Sequence, residues 1–276
     1  MPDATTPEPT GAPGAFELVQ RAAGPRLGGI VTRMIGYREL ANGHFRQVEA
    51  ASLTVPLIIN FGGSFAIGLG RAPGTDDRVG SFAAGLFAGP VIIDSFGNAN
   101  CLQIDFTPLG AARFFRMPMT ELTDRMVALD DVLGADGRSF REQLANTPSW
   151  NDRFVQAVCF VERRLADAPE TSPALAWVFE RISATGGRVP VRALAENIGW
   201  SRKHLAGRFN ADIGLGPKAV ARIVRFNRVL ALSRGDETSG WADIAAVCGY
   251  ADQAHLAREF RDLAGSTPAA WLARPA

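Results

Sequence analysis

The chain is poor in lysine, cysteine and histidine, and it has no long apolar run. Lys203 and Lys218 are the only lysines among 29 basic residues, so nearly all the positive charge is arginine. Cys101, Cys159 and Cys248 stand singly among apolar neighbours. That scatter offers no disulfide framework and no paired Cys or Cys/His cluster for zinc, and buried free thiols in a reducing cytoplasm are expected. The N-terminal half holds one histidine, His44. A metal-dependent cupin-type site usually needs two or three histidines plus a carboxylate. Nucleophile elbows and phosphate loops are missing as well. The expectation is therefore no enzyme, no catalytic residue, no cofactor and no metal. No run reaches the ~18 apolar residues of a membrane span. The opening stretch MPDATTPEPTGAPGA has neither the basic nor the apolar region of a signal peptide, and its composition predicts a disordered leader over residues 1–15. A cytoplasmic protein without a membrane partner is expected.

What is present fits an ordinary globular chain, with 47% hydrophobic and 21% charged residues over 276 positions. That length suits about two domains of ~100–200 residues each. Charge is unevenly placed. Residues 173–276 hold 14 basic and 9 acidic side chains, a balance of +5, and the remainder holds 15 and 19, a balance of −4. A basic C-terminal third on an acidic body suits a nucleic-acid-binding domain joined to something else.

Along residues 16–106, short apolar stretches are separated by Gly, Asn, Asp or Pro. LTVPLIINFGG, SFAIGLG, SFAAGLFAG, PVIIDSFG and CLQIDFTP are the clearest of them. Leu102, Ile104 and Phe106 alternate as on a half-buried strand. Many short strands with frequent turns predict a small barrel or sandwich, a fold that can hold a small ligand. Residues 108–115 then read as a helix. Residues 119–133 read as a second helix, with Leu122, Met126 and Leu129 at helical spacing and a cap from Thr120 or Thr123-Asp124. Residues 151–167 predict an amphipathic helix with Phe154, Val158, Val161 and Leu165 on one stripe. The stripe can pack within its own domain or on a two-fold mate in a homodimer. The run APETSP at 168–173 marks a break. Three segments follow: a leader (1–15), a β-rich regulatory, effector-binding and dimerisation domain with a helical tail (16–170), and an all-helical domain (173–276).

The helical third contains an internal repeat. Residues 241–260, WADIAAVCGYADQAHLAREF, read as helix, glycine turn and helix. Gly249 suits a turn with φ > 0, and Asp252 suits a helix cap. Residues 189–209, VPVRALAENIGWSRKHLAGRF, repeat the design. Leu194-Ala195 matches Ile244-Ala245, Gly199-Trp200 matches Gly249-Tyr250, and Leu205 with Phe209 matches Leu256 with Phe260. One extra residue separates Gly249 from Leu256. Pro217 and Pro268 each follow as a helix start. Between the units, residues 217–233 predict one helix of ~25 Å, long enough to set two reading helices roughly one ~34 Å turn of B-DNA apart.

The motif IAAVCGYADQAHLAREF followed by GSTP resembles the C-terminal signature of the AraC/XylS family of bacterial transcription regulators, and residues ~175–274 resemble that family's DNA-binding domain. The resemblance implies seven helices and recognition of two adjacent major-groove segments. QIDFTPLGA at 103–111, ahead of MPMTELTDRMVALDDVLG, is similar to the companion domain of one subgroup. The whole fold is thus expected to be α+β: a β-rich barrel or sandwich-like domain with helices, then an all-α domain with two helix-turn-helix units joined by a long helix.

Candidate DNA-binding residues follow from residue chemistry and from position in the motif. In the first unit, Ser201 is a cap whose hydroxyl can meet phosphate, and Arg202, Lys203 and Arg208 are cations. By family position Lys203, Ala206 and Gly207 face base edges, where Lys203 can donate to guanine and Ala206 can touch a thymine methyl. His204 suits a packed or phosphate-facing place. In the second unit, Gln253, His255 and Arg258 are the polar candidates, Gln matching adenine and Arg matching guanine. This second face is the better supplied with hydrogen-bonding groups. Lys218, Arg222 and Arg225 on the spacer are either solvated charges or phosphate contacts. Trp200, Tyr250, Phe209, Phe260 and Trp271 read as core. The expected partners are double-stranded DNA, a small-molecule effector, a second copy of the chain and, for an activator, RNA polymerase. A purely dimerising N-terminal half and a cupin-like enzyme half are the alternatives.

Overall fold

The computed structural model describes residues 15–234 and 240–273. The expected leader, Ala15 apart, lies outside the described residues. The described residues form ten strands, ten α-helices and two single 3₁₀ turns.

β1 (Phe16–Ala22), β2 (Val31–Glu39) and β3 (Phe45–Glu49) open the chain, followed by β4 (Val55–Asn60) and β5 (Phe65–Leu69). Two short strands, β6 (Arg78–Val79) and β7 (Phe82–Ala84), lead to β8 (Val91–Ser95) and β9 (Asn100–Phe106). With β10 (Met126–Ala128) they form two antiparallel sheets, ordered β1-β2-β9-β4-β7-β10 and β3-β8-β5-β6. The sheets face each other across Ile58, Phe65, Ile67, Phe82 and Cys101. This is the expected sandwich.

β9 lies mid-sheet, with Gln103 opposite Ile35 on β2 and Ile58 on β4. Its alternation is real, but both faces are covered. Leu102, Ile104 and Phe106 are buried under the helices, and Cys101 and Asp105 are buried on the other face, between the sheets.

The helical layer begins with α1 (Pro108–Phe115), capped by the Thr107 hydroxyl, which accepts from Gly110 N–H. α2 (Leu129–Ala145) and α3 (Trp150–Leu165) complete it. Their aromatic rings make the core: Phe106 stacks on Phe114 at 4.6 Å and Phe140 on Phe160 at 4.0 Å. Each fully buried ring contributes roughly 1.5–3 kcal/mol. Gly36 on β2 is where Trp150 docks, since a Cβ there would stand 2.5 Å from the indole. Arg153 donates to the carbonyls of Leu144 and Thr147, satisfying the end of α2.

Four expectations change here. Residues 119–133 are not one helix. Met119–Glu121 make a single 3₁₀ turn, Asp124 takes φ 57°, and Met126–Ala128 pair with β7. The open edge of β7 gains hydrogen bonds from that pairing, which outweighs local helical spacing. No side chain of Thr120, Thr123 or Asp124 caps a helix: α2 starts at Leu129 without a side-chain cap. The stripe on α3 is rotated, with Phe154, Ala157, Phe160 and Val161 buried within the chain and Val158 and Leu165 half-buried. The same rotation turns Cys159 outward, so only Cys101 and Cys248 are buried thiols.

After the connection at residues 166–172 come seven helices: α4 (Pro173–Ala184), α5 (Val191–Asn197), α6 (Arg202–Ile213), α7 (Pro217–Ser233), α8 (Trp241–Cys248), α9 (Gln253–Ala264) and α10 (Pro268–Leu272). α7 is the predicted long helix, with Val220, Ile223, Phe226, Val229 and Leu230 on its buried face. The core of this part runs without a break into the helical layer of the β-rich half.

Candidate nucleic-acid interface and inter-sheet cavity

The repeat read in the sequence holds at the level of single hydrogen bonds. Gly199 (φ 69°) and Gly249 (φ 79°) both take the left-handed turn. The next N–H closes back in the same way in each unit: Trp200 to Ala195 carbonyl and Tyr250 to Ala245 carbonyl, both 2.9 Å. Ser201 and Asp252 then cap α6 and α9, accepting from the N–H of His204 (3.1 Å) and His255 (2.6 Å). These caps satisfy orphan donors at the end of each helix that a groove would receive.

The histidines extend the repeat beyond what the sequence comparison found. His204 sits edge-on to Trp200 at 4.6 Å, and His255 edge-on to Tyr250 at 5.3 Å. The single extra residue, Ala251, shifts the spacing by one and had hidden this equivalence. His255 is half-buried in this contact, while His204 remains exposed.

Each helix buries one face and presents the other. On α6, Leu205, Phe209 and Ile213 are buried, whereas Ser201, Arg202, Lys203, Ala206, Gly207 and Arg208 are all exposed. Arg208 approaches Asp212 at 3.9 Å, a surface pair worth little. On α9, Leu256, Phe260 and Leu263 are buried, and Gln253 and Arg258 are exposed. Phe209, Phe260, Tyr250 and Trp271 are core, and Trp200 is half-buried.

The spacer cations divide. Lys218 is exposed at the start of α7. Arg222 and Arg225 are paired with carboxylates of α9. Arg222 bonds Glu259 and Asp262 at 2.9 Å each, and Arg225 reaches Glu259 at 3.4 Å while lying over the Tyr250 ring. Glu259 is buried, and burial together with this carboxylate pushes the Tyr250 phenol up. The network fixes α9 against α7, and with it the second unit against the first.

Both units are also tied to the β-rich half, each at the far end of its second helix. The Thr123 hydroxyl donates to the carbonyl of Gly214, which ends α6 (2.8 Å). The Ala51 N–H donates to the carbonyl of Leu263, in the last turn of α9 (2.8 Å), and Gly265 lies against Pro90. Gly214 and Gly265 hold the same position in the repeat, and both take positive φ. These contacts leave the exposed faces of α6 and α9 uncovered.

A cavity lies between the sheets, about 880 Å³ with its open mouth. Leu18, Ile35, Phe45, Ile58, Phe65, Ile67, Phe82 and Ile93 form its walls, with Arg33, Gln103, Gln47 and Glu49 as polar groups. A second cavity adjoins it, sharing Glu49, Ile58, Ile67, Phe82, Ile93 and Gln103 as walls, and is lined also by Ala50, Ala51, Val91, Asp105, Arg125 and Met126. Arg33 donates to Asp105 at 2.7 Å, and Gln103 donates to the other Asp105 oxygen at 2.7 Å. Burial pushes the Cys101 thiol up to about 12, so it is an inert part of the wall. Arg33, Gln103 and Asp105 went unread in the sequence, although polar residues alternating with buried apolar ones on a middle strand were the available signal.

Comparison with known proteins follows this division. Residues 194–274 match the family model described as a helix-turn-helix domain. Curated proteins give no match. Among solved structures, ToxT from Vibrio cholerae is similar at 12% identity and a TM-score of 0.47, covering 94% of this chain and 98% of that one. ToxT with bound unsaturated fatty acid gives 10% and 0.43, covering 85% and 96%. The AraC-like transcriptional activator CuxR gives 11% and 0.26, covering 76% and 85%. Residues 194–274, which carry the two matched units, are a helix-turn-helix domain.

Proposed function

We propose that this chain is a transcription regulator that reads two adjacent major-groove segments of double-stranded DNA with α6 and α9, and that a small molecule between its sheets modulates the reading. The observation that carries the DNA part is the duplicated geometry: two glycine turns, two capped helices, and two exposed faces on one rigid support. α7, at ~25 Å long, spaces the units on the scale of one turn of DNA. Ser201, Arg202, Lys203, Ala206, Gly207 and Arg208 face the first segment, and Gln253 and Arg258 face the second. His255 orients α9 against Tyr250 and meets DNA at its edge.

The placement of the cavity supports modulation. Ala51 lines the adjoining cavity and also bonds the last turn of α9. Arg125 lines that same cavity, two residues from Thr123, which bonds the end of α6. A ligand that moves this lining moves the supports of both reading helices. The β-rich half then acts as a sensor rather than an enzyme.

Hydroxyl-radical footprinting of the full chain on a selected genomic fragment tests the DNA reading. Two protected stretches about 10–10.5 bp apart are expected. One protected stretch, or protection without sequence preference, would contradict it.

A further inference from the structure

The arginines between the sheets, Arg33 and Arg46, already have carboxylate partners. Arg33 is held by Asp105, whose other oxygen accepts from Gln103. Asp105 is fully buried. Glu49 accepts from Gln47 at 3.2 Å, and Arg46 at the rim forms two 2.7 Å bonds with Asp94. Arg125, which lines the adjoining cavity, is exposed.

We infer that the ligand of this cavity is not an anion: a largely apolar molecule with a hydrogen-bonding edge such as an amide or hydroxyl. The inference rests on the cavity being the effector site proposed above. A carboxylate entering between the sheets meets an Arg33 whose charge Asp105 already offsets, so it either shares the guanidinium without a net countercharge or draws it from Asp105 and breaks a buried pair. A neutral molecule leaves that pair undisturbed. The apolar walls of Ile35, Ile58, Ile67, Phe82 and Ile93 favour its body. Gln103, having given one amide hydrogen to Asp105, keeps a second hydrogen and a carbonyl oxygen for its polar edge.

The test sets two probes of nearly the same shape against each other, biphenyl-4-carboxamide and biphenyl-4-carboxylate, by titration calorimetry on the full chain near neutral pH. The carboxamide is expected to bind about tenfold or more tighter, since only the carboxylate enters without a net countercharge. Asp105→Asn removes the counter-charge of Arg33 and is expected to reverse the order, with the carboxylate gaining. If that variant does not fold, the wild-type comparison decides alone. Tighter binding of the carboxylate to wild type overturns the inference and leaves the effector site standing. Failure of both probes to bind wild type overturns the effector-site reading with it.

Discussion

The Thr123 hydroxyl donates to the carbonyl of Gly214 across 2.8 Å, joining the turn before β10 to the residue that ends the first reading helix. Gly214 is buried, so without Thr123 its carbonyl loses a partner in a place water does not reach. Thr123→Val keeps the shape and removes the hydroxyl. It is expected to destabilise the chain by about 1–3 kcal/mol. Hydrogen exchange should quicken in the last turn of α6 while α4 is unchanged. Equal protection of α6 in the variant would show that this tether does not hold the helix.

The Arg222–Glu259 pair makes a second prediction, aimed at telling a structural cation from a phosphate contact. Arg222→Ala is expected to lower stability, because Glu259 is buried and loses one of its two arginines. The dependence of DNA affinity on salt should keep its wild-type slope. Lys203→Ala should do the reverse, leaving stability within about 0.5 kcal/mol and reducing the log–log salt slope by ~0.9 for one lost phosphate neighbour. If Lys203 meets a base edge instead, base preference relaxes in that variant. A lower slope in Arg222→Ala would return that residue to the DNA surface.

How far the sequence disclosed these roles depended on whether a signal was local. The two helix-turn-helix units were legible because glycine, cap and apolar spacing all fall within 20 residues and occur twice. α7 was legible for the same reason. Arg222 and Arg225 were not, since their partner Glu259 is more than 30 residues away and the sequence shows only an exposed-looking basic stripe. β10 was hidden because Met126 sits at helical spacing from Leu122 and Leu129, and only the open edge of β7 selects a strand. Gln103 and Asp105 looked like the wet face of a strand until the second sheet was placed over them. Thr123 and Ala51 carry no chemistry of their own, and only the docking of the two halves gives them a role.

Arg258 is exposed on α9, and the fold around it is set by Leu256, Phe260 and Leu263. Arg258→Ala is therefore expected to leave the melting temperature nearly unchanged. Binding to the native operator should weaken by about 1–3 kcal/mol, with preference relaxed at one base pair. Selection of binding sites from a randomised pool measures this directly. Wild-type affinity and wild-type preference in the variant would remove Arg258 from base reading.

Gly207 poses the sharpest conflict between folding and binding. It sits within α6, exposed, on a helix whose opposite face is Leu205 and Phe209. Its φ is not among the positive values, and a Cβ placed on it meets nothing within 4 Å. The fold therefore makes no demand for glycine there, and a glycine inside a helix costs about 1 kcal/mol relative to alanine. A surface that approaches DNA gives the residue another use, because a backbone without Cβ can come closer to base edges or phosphate. Gly207→Ala is thus expected to raise the melting temperature by about 2–4 °C. Operator affinity should fall at the same time, and Gly207→Leu should lower it further without unfolding the helix. Calorimetric melting and titration of labelled operator give the two numbers independently. A variant that is more stable and binds as wild type would place Gly207 outside the interface, and would leave Lys203 and Arg202, nearer the cap, as the part of α6 that meets DNA.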